Sequence, residues 1–264
     1  MHVIFITDLE GVSCVDSIDM MDTTKEGYRK ACEYLMADVN AAIAGALEGG
    51  ADRITVVDGH GSGRNFLPGM LDPRAEQISA RDFCCNPLTG VDGILCVGCH
   101  AMAGTEKAFL DHTQISTRWF DYRINGVSMG EIGQQAVIGG VYQAPVVMVS
   151  GDEAACLEAQ ALIPGVLTAS VKTAQIRNQA ECVPQAEALA RIRKAAAEGV
   201  MRYRQIPTIS ITLPAEVSLT LYRTDYCDEI MHEGLTRKGR TLTKTLKKVT
   251  CYWDITRLEK WQEE

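Results

Sequence analysis

Two acidic residues and two histidines stand where a parallel sheet would bring them together. Asp8 and Glu10 follow the short β-branched run at 3–7, His60 follows ITVVDG, and His100 follows GILCVGC. In open parallel sheets, ligand sites form outside the carboxyl ends of the strands, so residues distant in sequence converge there. Carboxylate oxygen and imidazole nitrogen are the donors zinc takes when thiolates are not used. Singly, each residue has a plainer account: an acid after a strand is usually hydrogen-bonded within its loop, and a strand-end histidine is usually structural. Four together point to a metal centre, and a carboxylate-rich one is catalytic in character, because structural zinc sites are usually closed Cys/His sets.

Two more residues are candidates. Glu131, in SMGEIG, falls at an expected helix start, where it is either a further metal ligand or a carboxylate favoured by the helix dipole alone. His112, in FLDHTQIS, lies in a loop-like stretch. Beside a metal site its imidazole would donate or accept a proton at neutral pH; taken alone it reads as a solvated loop residue. Asp58 either orients a ligand imidazole or caps the GHGSG turn. No role falls to His2 or His232. Cys96 and Cys99 form a single C-x-x-C inside an apolar run and read as a buried strand, since a zinc ribbon needs a second pair.

The elements that must position these residues follow from periodicity. A strand at 3–7 precedes a segment with Tyr28, Ala31, Cys32, Leu35, Val39, Ala42, Ile43 and Ala46 at three- and four-residue steps, stopped by Gly49-Gly50. A second strand at 54–58 completes a βαβ unit, whose connection is right-handed and whose strands are parallel. Strands at 93–99 and 146–150 and helices at 130–141 and 152–163 repeat the pattern, so the expected class is α/β with a mostly parallel open sheet and flanking helices. From about residue 166 the texture shifts to a basic, Ala-rich helix at 184–204 and strands at 208–213, 218–222 and 241–249. A helix at 225–233 and a last helix ending near Trp261 complete a smaller α+β part. The expected division is therefore 1–165 and 166–264.

Composition narrows the function. With 264 residues and 46% hydrophobic content there is enough chain for a sizeable core. A formal charge of -8, from 34 acidic and 26 basic residues, argues against nucleic acid and anionic membrane as partners and for a small-molecule or peptide substrate. Neither a signal peptide nor a membrane span is expected, and the ten scattered cysteines read as reduced thiols of a cytoplasmic protein.

Five segments, TDLEGVS, VVDGHG, GCHAMAGT, LDHTQI and GVSMGEIG, together resemble the successive signatures of the binuclear-zinc D-aminopeptidase family, in order and approximate spacing. The resemblance continues through APVVMVSGD and VKTAQIRNQA to about residue 180 and weakens beyond it. It implies an aminopeptidase that hydrolyses the N-terminal residue of short, D-Ala-type peptides. Two zinc ions per subunit would be held by Asp8, Glu10, His60, His100 and Glu131, with Asp8 bridging and His112 as the catalytic residue. It also implies an α/β domain with a smaller C-terminal domain, assembled as a ring-like homo-oligomer, a decamer, that encloses the active sites. Cys14 and Cys99 depart from residues often found at those positions of the family.

Two other readings use the same residues. DLEGV after a first strand is similar to the nucleophile loop of haloacid-dehalogenase phosphatases, with Asp8 as nucleophile, but that leaves His60, His100 and His112 without use. A non-catalytic protein whose metals brace a peptide-binding ring fits the ligands but not His112. D or L preference, and the physiological substrate, stay open at this level.

Overall fold

The computed structural model describes residues 1–258. In chain order its elements are β1 (His2–Thr7), α1 (Glu26–Glu48), β2 (Arg53–Asp58), β3 (Ala75–Ile78), α2 (Ala80–Cys85), β4 (Gly93–Cys99), β5 (Trp119–Ile124), β6 (Val127–Ser128), α3 (Glu131–Val141) and β7 (Val146–Asp152). There follow α4 (Glu153–Leu162), β8 (Leu167–Ile176), β9 (Gln179–Cys182), α5 (Gln185–Met201), β10 (Ala215–Leu221), α6 (Thr224–Ile230), β11 (Thr236–Lys238), β12 (Thr241–Leu246) and α7 (Tyr252–Thr256).

Strands β1, β4 and β7 are buried on both faces, hence their unbroken runs of Val, Ile, Leu and Cys. They form the centre of a seven-stranded sheet of order β3-β2-β1-β4-β7-β8-β9, parallel except for the β8/β9 pair. From β1 the chain steps outward to β2 and β3; from β4 it steps the other way to β7 and β8. With right-handed crossovers, this reversal puts α1 on one face and α3 and α4 on the other. The switch point, where a crevice opens at the strand ends, lies between β1 and β4. The expected α/β class is the one the chain adopts.

Helix α1 buries Ala31, Leu35, Val39, Ala42, Ile43 and Ala46, the stripe that its three- and four-residue spacing requires. It packs beside α5, whose Ala188, Ile192, Ala195 and Ala196 are buried.

A second, antiparallel sheet has the order β11-β12-β10-β5-β6. Both sheets cross the 165/166 division. Strands β8 and β9 extend the first sheet, while β5 and β6, from the first half of the chain, lie in the second beside β10. Residues 208–213, expected as a strand from their alternation, are instead unpaired chain. The Ile209 carbonyl lies against Gly140 of α3, where a Cβ would sit 1.7 Å from it, so this segment packs on a helix instead of pairing with a strand. The final expected helix is observed as α7; its expected end near Trp261 lies outside the described residues. Cys96 and Cys99 are buried in β4 as expected, and the Cys96 thiol donates to Gln135 Oε1 at 2.9 Å. No helix of the described residues is long and apolar enough to cross a membrane.

Candidate metal centre

The loops after β1 and β4 flank the switch point and are locked together through their backbones. Asp8 N–H donates to the Val97 carbonyl and Gly11 N–H to the Gly98 carbonyl, both at 2.8 Å. The approach is so close that a Cβ on Gly11 would stand 1.9 Å from the Cys99 oxygen, and only glycine fits the fourth position of DLEG. Asp8, Glu10 and His100 are thereby held side by side, each offering a ligand atom within 4.8 Å of the others. His100, His112 and Glu131 form a second such group that shares His100.

The contacts are direct. His100 Nε2 is 3.2 Å from Asp8 Oδ2 and 3.6 Å from Glu131 Oε1. His60 Nε2 is 3.4 Å from Glu10 Oε1, and His112 Nε2 is 4.0 Å from the same oxygen. All six residues singled out by sequence therefore meet at one place. His2, bonded to Thr55, and His232, set between the carbonyls of Glu233 and Leu258, do not join them.

Each ring is oriented from behind. Nδ1 of His100 faces the Ala101 carbonyl at 2.9 Å and Nδ1 of His112 faces the Leu110 carbonyl at 2.8 Å. A carbonyl only accepts, so both Nδ1 atoms carry hydrogen and both Nε2 atoms point into the cluster. At His60 the same service comes from Asn65, which sequence reasoning passed over. Its Nδ2 donates to Asp58 Oδ1 at 2.7 Å and to the His60 carbonyl at 2.8 Å, leaving Oδ1 to accept from His60 Nδ1 at 3.2 Å. Asp58 also accepts from the Asn65 and Phe66 backbones at 2.6 and 3.2 Å. It caps the turn after β2 and reaches the imidazole only through Asn65.

Gln114 ties the His112 loop to Glu131. It adopts a left-handed φ of 57°, which turns its N–H towards Glu131 Oε1 at 2.7 Å. Its side chain donates to Gln134 Oε1 at 2.9 Å and to the Tyr252 hydroxyl at 3.0 Å, so α7 braces the site from behind.

Electrostatics show what the cluster lacks. Burial, with the Glu10 charge beside it, raises Asp8 to about 6. Burial also disfavours the charge on Glu10, but the hydrogen bond and charge of His60 outweigh it and hold Glu10 well below the usual carboxylate range. On His60 burial acts downward, and the Glu10 contact overrides it and lifts the ring to about 10. The His60 ring thus offsets part of the crowding of carboxylates. Glu10 Oε2 is buried with no hydrogen-bond partner, an arrangement that costs free energy unless a cation completes it. Three carboxylates, imidazoles presented through Nε2 and an orphaned buried oxygen fit a divalent metal.

A doubly wound sheet with such a carboxylate and imidazole cluster at its switch point is the arrangement of a metal-dependent hydrolase. Sequence comparison is more particular: residues 1–257 match the model of the D-aminopeptidase family, peptidase M55, and the chain belongs to that family. It is 34% identical to a curated D-aminopeptidase of Bacillus subtilis (strain 168) over 186 residues, 69% of this chain and 67% of that one. Among solved structures it resembles the Zn-dependent D-aminopeptidase DppA from Bacillus subtilis, a self-compartmentalizing protease, with a TM-score of 0.90 and 25% identity over 98% of this chain and 96% of that one. The likeness seen in sequence to about residue 180 thus extends through the second sheet.

Proposed function

We propose that this peptide hydrolase removes the N-terminal, D-configured residue of short peptides with two zinc ions held by Asp8, Glu10, His60, His100 and Glu131, and with His112 as the proton-transfer residue. One observation carries the reading: three imidazoles, each fixed from behind, present Nε2 to three carboxylates at the switch point. The group formed by Asp8, Glu10 and His100, with Glu131 and His60 in contact with it, and the zinc dependence of the Bacillus subtilis structure support the metal.

Bound zinc supplies Lewis acidity, which acidifies water and polarises the scissile carbonyl. The chain does the rest. The backbone clamp between the β1 and β4 loops keeps Asp8, Glu10 and His100 in register before substrate arrives, so little reorganisation is left for the reaction. His112, with Nδ1 committed to the Leu110 carbonyl, has Nε2 free to accept a proton from the attacking water and pass it to the leaving amine. Gln114 holds the far end of that loop against Glu131 and keeps Nε2 aimed.

The reading includes a ring-like homo-oligomer, decameric, with enclosed sites that admit short peptides; the self-compartmentalizing neighbour supports it. It also includes a cytoplasmic location, supported by ten free thiols. The phosphatase and binding-module readings are not favoured by membership of a peptidase family.

The test is elemental analysis of freshly purified protein together with cleavage of matched D- and L-alanyl dipeptides before and after chelation. Close to two zinc per chain, and chelator-sensitive release of a D-configured N-terminal residue, is the expected result. Turnover undiminished in metal-stripped protein would sink the proposal, and preference for the L-dipeptide would overturn its stereochemistry. Sedimentation of the same sample reads the oligomer.

A further inference from the structure

The segment VKTAQIRNQA contains a lysine with no contact to water. Lys172, on β8, is 0% exposed, and its register partner on β7 is the buried Asp152. Removing an ammonium from water costs several kcal/mol unless its hydrogens are taken up. Here they are used in a particular way. Nζ donates to the Glu10 carbonyl at 2.7 Å and to the Val15 carbonyl at 2.5 Å, and lies 4.7 Å from the centre of the Phe109 ring. An ammonium has three hydrogens, so two carbonyls and one aromatic face account for its capacity.

Those three partners belong to the two loops that matter most. Glu10 and Val15 bracket the loop after β1, which carries Asp8 and Glu10. Phe109 lies three residues before His112, and its N–H is held by Asp152 Oδ2 at 3.1 Å. On the opposite side of the same loop stands Asp38 of α1, 1% exposed. It accepts from Ser13 N–H at 2.8 Å and Ser13 Oγ at 2.5 Å. The loop between residues 10 and 15 is therefore gripped at its carbonyls by a buried cation and at its donors by a buried anion. A hydrophobic side chain in place of Lys172 would fill the space at less solvation cost, but would take the ammonium donor from the Glu10 carbonyl and leave the Val15 carbonyl to the Cys182 thiol at 3.7 Å.

We propose that Lys172, opposed by Asp38, is the positioning residue of the metal-ligand loop: by fixing the Glu10 backbone it sets the affinity and coordination geometry of the metal centre without touching the metal. The proposal rests on the metal reading above. It predicts a defect in metal binding in a chain that is folded, which a lysine needed only for packing would not give.

The experiment titrates metal-stripped full-length protein with Zn²⁺ by calorimetry and with Co²⁺ by visible absorption, for the natural chain, Lys172→Met and Asp38→Asn, with circular dichroism to establish folding. The natural chain binding neither metal would overturn the metal reading and this proposal with it. Given binding there, folded Lys172→Met is expected to bind Zn²⁺ roughly 10–100-fold more weakly, the usual loss when a residue behind a ligand is removed. Its Co²⁺ absorption bands should also change in position or intensity. Unchanged affinity and unchanged bands in folded Lys172→Met would overturn the proposal and leave the metal reading standing. If Lys172→Met does not fold, Asp38→Asn decides: it keeps one acceptor for Ser13, removes the charge, and is expected to show a weakened Zn²⁺ affinity and altered bands. Natural values in Asp38→Asn would then overturn the proposal.

Discussion

The imidazoles of His100 and His112 lie face to face, with ring centres 3.8 Å apart and planes 12° from parallel. They differ in their surroundings: His100 is buried between Asp8 and Glu131, at 3.2 and 3.6 Å, whereas the nearest carboxylate contact of His112 is the 4.0 Å to Glu10. On the function proposed above, that difference separates a ligand from a proton carrier. His100→Ala should lose metal and activity together. His112→Ala should keep metal and lose roughly 100- to 10,000-fold in kcat, the usual worth of a general acid–base. Metal analysis alongside steady-state kinetics checks both, and near-normal turnover in His112→Ala would remove its assigned role.

The contact between Gly11 and the Cys99 carbonyl allows no side chain. Gly11→Ala must force the β1 and β4 loops apart and should cost about 1–3 kcal/mol, as overpacking generally does. A contrasting variant is Gly27→Ala in α1, whose Cβ would meet nothing nearer than the Met20 side chain at 3.5 Å. It should gain up to about 1 kcal/mol from helix propensity alone. Urea denaturation of both variants decides, and equal stabilities would contradict the packing described.

Asn65→Ala frees the His60 ring and strips Asp58 of a donor. Zinc affinity is expected to fall roughly 10–100-fold. Chelator competition measures it, and an undiminished affinity would show that His60 needs no orientation from Asn65.

Asp38 gives a pH signature. Burial pushes its carboxyl up to about 6, against the hydrogen bonds from Ser13 and the nearby charge of Lys172; the Cys14 thiol also faces it. The folded chain then holds a proton, between pH about 4 and about 6, that the unfolded chain releases. The contribution of this group is full below the unfolded value and is lost as pH rises through the folded one. The stability of the natural chain relative to Asp38→Asn should therefore decline over that window, by on the order of 2 kcal/mol. Denaturant melts at several pH values measure it, and a flat or rising difference would contradict the assignment.

Much of this was legible because the chemistry follows strand ends. A short β-branched run marks a buried parallel strand, and the residue after it faces the crevice whatever the rest of the chain does. Asp8, Glu10, His60 and His100 could be placed on that rule alone. Asn65 was not legible, because an Asn beyond a glycine-rich turn has the ordinary appearance of a turn residue. Lys172 was hidden by alternation: it falls on the same side of β8 as Thr168 and Ser170, where a lysine reads as solvent-facing. Strands β5 and β6 were missed since β5 pairs with β10, Leu219 lying opposite Tyr122, far along the chain, and no local pattern records so distant a partner. The segment at 208–213 misled for the converse reason, having alternation without a strand to pair with.

Between His100 and Glu131, the chain leaves the seven-stranded sheet, contributes β5 and β6 to the other sheet, and returns. The smaller sheet is thus stitched into the middle of the larger one's sequence and completed by strands some ninety residues later, Val217 lying opposite Ile124. Neither half of the chain, cut near residue 165, owns a whole sheet. Heat or denaturant should therefore meet one cooperative unit, and the centre at the β1/β4 switch point should vanish in the same transition that ends the fold.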